Sequence, residues 1–112
     1  MIKVIVVPET DKFKHDIFHG EEIYINKALG EPNLKYHNAK YVAPYLLNEQ
    51  KVLRVYQILS INPISGSYEI YLGNSYVVDG GWNGMGQHRK FEYHPLEKFG
   101  FKEIQNGFLV PL

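Results

Sequence analysis

The chain has 112 residues, 45% of them apolar and 14% aromatic, with nine tyrosines, six phenylalanines and one tryptophan. This is enough for one globular domain, 1–112, with a modest core, and it excludes a disordered chain. Twelve Lys and Arg balance twelve Asp and Glu, and there is no cysteine, which excludes an overall basic field for gripping duplex DNA, a disulfide framework, a thiolate nucleophile and a cysteine zinc site.

In chain order, Ile2 to Val7 is β-branched at nearly every position and predicts a strand buried on both faces. The run is far too short to cross a bilayer and lacks the form of a secretory signal, so a cytoplasmic protein with no membrane partner is expected. "ETDKFKHDIFHG" offers Thr10 or Asp11 as a cap, Phe13, Ile17 and Phe18 at helical spacing and Gly20 as a stop, which predicts a short helix. "EEIYINKAL" predicts a strand that "GEPN" ends. The extended run Lys40 to Leu46 contains Pro44, which has no N–H for a ladder and predicts an edge or a bulge. "KVLRVYQILSI" and "YEIYL", joined through "NPISGS", predict an antiparallel pair. "SYVVD" predicts a strand ending at a glycine-rich loop, "RKFEYH" resumes the alternation, "PLEKFG" is a short helix or turn, and "GFLVPL" closes the chain. The expected class is α+β, mainly β, with about six strands and one or two short helices in a small curved sheet or barrel.

The order "VVPETDKFKHDIFHGEEIYINK", "AKYVAPYLLNEQKVLRVYQILSI", "GSYEIYL" and "RKFEYHPLEKF" resembles the PUA-like domains, the EVE and ASCH-related group, in their small stand-alone prokaryotic form. Lys40-Tyr41-Val42-Ala43-Pro44-Tyr45 matches their first core motif and Val52 to Ile61 the strand after it. Tyr93-His94-Pro95-Leu96-Glu97 resembles their late aromatic-x-Pro-Leu element. Leu53-Arg54 stands where such domains often carry Thr-His, and Pro44 where a plain strand residue is usual. The resemblance implies a PUA-like pseudo-barrel that binds RNA, or modified or flipped DNA bases, without catalysis and without a cofactor.

The stretch "VVDGGWNGMGQHRKFEYHPLEKF", Val77 to Phe99, carries the strongest chemical signals. Its glycines match neither a Walker loop nor a dinucleotide fingerprint, and a strand rather than a helix is expected to follow, so no phosphate loop is expected. Trp82 has two readings: a plate on which a base stacks, worth roughly 1–3 kcal/mol, or a lid folded back on the barrel end. Alternation from position 88 sends Arg89, Phe91 and Tyr93 to one face and His88, Lys90 and Glu92 to the other. Arg89 there can meet a phosphate beside a stacked base, or pack its stem on the aromatics. Tyr41 and Tyr45 share a face with Ala43 between them, as core or as pocket wall. His15 and His19 stand four apart, but no third ligand has metal spacing, so no metal is expected.

The expected function is a non-catalytic domain that holds a base or a short single strand of RNA or modified DNA. Trp82 with Tyr41, Tyr45 or Tyr93 forms the aromatic walls, Asn83 reads polar edges, and Arg54 and Arg89 hold phosphate. A metal-independent ribonuclease using His88 or His94, with Arg89 or Lys90 as the cation, is the alternative. A protein-interaction module or inhibitor, with exposed Tyr and Trp as anchors for a protein partner, is a third.

Overall fold

The computed structural model describes residues 2–9, 23–26, 39–64, 67–86 and 92–112. They form eight strands: β1 (Lys3–Glu9), β2 (Ile23–Asn26), β3 (Ala39–Leu46), β4 (Lys51–Ile64), β5 (Ser67–Trp82), β6 (Glu92–Pro95), β7 (Phe101–Gln105) and β8 (Phe108–Pro111). One 3-10 turn, Leu96–Phe99, follows β6 and ends at Gly100, whose φ of 88° lies in the left-handed region that closes such a turn. The helix predicted after Glu9, with His15 and His19, lies outside the described residues.

Strands β1 to β6 make one sheet in the order β2-β5-β4-β3-β1-β6, and β7 pairs with β8. Only β1 and β3 run parallel; the other neighbours are antiparallel, including the expected β4–β5 pair. Apolar residues line both faces of this sheet. Val4 and Val6 of β1 enter a first core with Tyr41, Ala43, Tyr45, Val52 and Val55. Ile5 and Val7 enter a second with Val42, Leu46, Tyr56 and Ile70. All four β1 residues are fully buried, because period-two alternation feeds one strand into two cores. β3 lies between β1 and β4 rather than at an edge. Its register against β4 shifts between Val42 and Tyr45, so a bulge accommodates Pro44 and its missing donor.

Leu96, Phe99, Phe101 and Leu109, from the 3-10 turn and the β7–β8 hairpin, belong to the first core. This cover replaces the closure expected of a pseudo-barrel: among the described residues β2 and β6 stand at opposite ends of the sheet and do not pair, so the sheet is open. A polar cluster pins the hairpin. Glu103 points inward, with its side chain only 9% exposed, and its Oε2 accepts the Tyr41 hydroxyl at 2.5 Å and the Gly107 N–H at 3.4 Å. Lys40 Nζ lies 3.5 Å from Oε1. The Gly107 carbonyl accepts bonds from the Tyr76 hydroxyl and from Asn74 Nδ2, both at 2.9 Å. Burial first, and then the Glu103 carboxylate, push the Tyr41 phenol well above its ordinary range.

Candidate functional site

β5 does not end before the glycines. Arg54 pairs with Val77 and Val52 pairs with Trp82, so the four residues Val78 to Gly81 stand against the single Leu53. Gly80 and Gly81 have φ of 74° and 76°, and two successive left-handed residues let the strand bulge outward and then rejoin its ladder. The predicted loop therefore begins only at Asn83.

Beyond the bulge, Trp82 shares a face with its partner Val52 and packs against the first core. Its ring lies 4.7 Å, centroid to centroid, from both His94 and Phe99. Gly84 sits so close to the indole that a Cβ there would come within 2.7 Å of its Cζ2. This half-buried packing is that of a lid, and Asn83 beside it is exposed. His94 Nε2 meets Glu92 Oε1 at 2.8 Å. The same oxygen accepts the Gly86 N–H at 3.2 Å, tying the segment after Trp82 to β6.

The bulge also opens a groove of about 470 Å³ lined by Lys51, Leu53, Arg54, Val77, Val78, Gly80 and Gly81. The lining takes in Leu53, which packs on the second core, and Val78 of the first, but not Trp82. Lys51 runs across Gly81, where an added Cβ would lie 2.7 Å from its Cδ. Arg54 Nη1 donates to Ser75 Oγ at 3.2 Å. Its charge is also felt by Tyr56, whose phenol is pushed up to about 12 by burial while Arg54 pulls the other way. Val77 is 58% exposed, an apolar surface open to solvent. The lining includes two cations and no carboxylate; Asp79 is exposed in the bulge but outside it.

The residues expected to share one pocket are thus dispersed. Tyr41 is 0% exposed and Tyr45 3%, so neither ring offers a face to a ligand; both fill the first core because β3 is covered there by the hairpin. Tyr93 pairs with Ile5 and packs on the second core, opposite Trp82 and His94. Arg54 lines the groove. Arg89 and His88 lie outside the described residues. Lys51 lines the groove but was not singled out from the sequence, although "KVLR" shows a cation on each side of an apolar pair. Among the described residues no group of three metal-ligating side chains forms, and no helix is long and apolar enough to cross a membrane.

Fold and groove together define a small mixed-sheet β protein with an open, cation-flanked apolar groove. Among known proteins, no family model, curated sequence or solved structure matches the chain.

Proposed function

We propose that this protein is a non-catalytic binder of single-stranded nucleic acid, RNA or DNA, and that the groove between Lys51 and Arg54 is its site. The observation that carries this reading is the lining: two cations beside an exposed apolar floor, with no carboxylate among the groups that line it. A base covers the Leu53–Val77 floor while the cations meet phosphate. Arg54 suits that role because its planar fork is held by Ser75. The domain is also proposed as an outlying PUA-like member with an open sheet; the Lys40–Tyr45 motif on its central β3 strand supports this. The test is fluorescence anisotropy of labelled RNA and DNA oligonucleotides at low salt. Wild-type protein binds and a Lys51→Gln/Arg54→Gln double variant does not; no anisotropy change with wild type at low salt refutes the reading.

The Glu92–His94 contact favours a second reading, metal-independent RNA cleavage, because a carboxylate that orients an imidazole prepares it for proton transfer. Labelled RNA incubated in chelator decides it: cleavage by wild type that His94→Ala abolishes supports the ribonuclease, and intact RNA rejects it.

A further inference from the structure

We propose that Asn83 is a site of spontaneous covalent modification, losing its side-chain amide to become aspartate or isoaspartate, while the fold protects the identical pair at Asn106–Gly107. Asn-Gly occurs twice in the sequence, at 83–84 and 106–107. Glycine in second place leaves the attacking nitrogen unhindered, because it has no Cβ. The Gly84 backbone nitrogen gives up its proton and attacks Asn83 Cγ; a C–N bond forms, the amide group leaves Cγ as ammonia, and a succinimide ring results. Water then opens the ring. Opening at the side-chain carbonyl gives aspartate, and opening at the main-chain carbonyl gives isoaspartate, whose backbone runs through Cβ and whose α-carboxylate is free. Water is consumed, ammonia is released, and nothing is oxidised or reduced.

The two pairs differ in what the fold does to the attacking nitrogen. Gly107 is buried in the β7–β8 turn, and its N–H donates to Glu103 Oε2 at 3.4 Å. An amide anion formed there faces a carboxylate, and the like charge opposes it. The Gly107 carbonyl is held by Tyr76 and Asn74, and Gln57 lies so close that a Cβ on Gly107 would come within 2.4 Å of its Nε2. Ring closure at Asn106 therefore requires this turn to open first. Asn83 and Gly84, by contrast, are both exposed. They follow Trp82, the last residue of β5, and among the described residues the Gly84 N–H donates to no backbone carbonyl. Gly84 also touches the Trp82 indole, where an added Cβ would lie 2.7 Å from Cζ2. Isoaspartate lengthens the backbone between the indole and Gly84, so the conversion displaces Gly84 from the ring, and the only tryptophan of the chain reports it.

The test holds the purified protein at mildly alkaline pH and follows both pairs by tryptic mass spectrometry. Cleavage separates Val55–Arg89, which contains Asn83, from Glu103–Leu112, which contains Asn106. In native protein Asn83 should convert at least about tenfold faster than Asn106, because reaction at Asn106 first breaks a hydrogen bond to a charged group. In guanidinium chloride the two should convert at similar rates, since the difference belongs to the fold. Tryptophan emission should change in step with conversion at Asn83, and Asn83→Gln, whose longer side chain closes a less favourable ring, should abolish both. An Asn83 that stays intact in native protein, or one that converts no faster than Asn106, overturns the proposal. So does a rate ratio that persists in denaturant, which would assign the difference to the flanking sequence instead of the fold.

Discussion

The Val52–Trp82 pair divides the molecule into two regions that differ in what their side chains do. On one side Trp82, His94 and Phe99 contact one another over the first core. On the other, Lys51 and Arg54 flank an apolar floor that remains open. The conspicuous aromatic residues are thus spent on packing, and the groove is made by Arg54 with residues that the sequence did not single out. Strand alternation explains the separation: Lys51, Val52 and Leu53 are consecutive, yet the middle one faces away from its neighbours. The comparison predicts that substitutions on the Trp82 side act on stability and substitutions in the groove act on binding.

The largest effect is expected at Tyr41. Tyr41→Ala removes a fully buried ring and should cost about 3–5 kcal/mol. Tyr41→Phe, which keeps the ring but removes the hydroxyl that donates to Glu103 and also interacts with the Gly107 backbone, should cost about 1–3 kcal/mol because a part-buried carboxylate loses a donor. Urea unfolding measures both, and a Tyr41→Phe protein as stable as wild type would show that the Glu103 cluster does not pin the hairpin.

Alkaline pH gives the next effect. Tyr56 titrates at about 12 in the fold against about 10 when unfolded. Its folded value is raised, so its contribution is fully present below pH 10 and is lost as pH rises through 12, on the order of 2 kcal/mol in total. Tyr41 acts in the same direction at still higher pH. Spectrophotometric tyrosine titration should find late-ionising phenols, and Arg54→Gln should delay the Tyr56 step further, since the Arg54 charge lowers it.

Trp82→Ala should cost about 2 kcal/mol, less than a fully buried tryptophan, with oligonucleotide affinity changed less than twofold. A larger loss of affinity in folded protein would return Trp82 to the ligand site and erase the contrast between the regions. Gly81→Ala places a side chain at φ 76° and against Lys51. The strain is about 1–2 kcal/mol, and because this position faces the groove the variant should also bind more weakly. Lys51→Gln and Arg54→Gln have the smallest effect on stability, within about 0.5 kcal/mol as for other surface substitutions, while each weakens oligonucleotide binding.

Much of the fold was legible. The β-branched run Val4 to Val7 announced a strand buried on both faces, the alternation around Tyr56 and Ile70 announced an antiparallel pair, and Pro44 announced an edge or a bulge, of which the fold takes the bulge; all three follow from local stereochemistry. β7 was not read as a strand because its inward Glu103 breaks the apolar alternation, and only the Tyr41 hydroxyl and Gly107 N–H across the hairpin explain a carboxylate there. Arg54, which lines the groove, was recognisable as a candidate from its rarity. Lys51 was not, because a lysine that begins a strand resembles any solvated charge until Gly81 is brought beneath its stem.

The sequence by itself determined a mainly β fold, its strong apolar strands and the absence of a global basic field, since these depend on composition and on period-two patterning. Tertiary structure decided that the sheet stays open under a hairpin, that the glycines form a bulge inside β5, and that Trp82 and Arg54 serve different regions. The physical reason is that register, set by long-range pairing such as Val52 with Trp82 and Arg54 with Val77, fixes which face each residue joins, and a shift of a few residues at one bulge changes which side chains share a site.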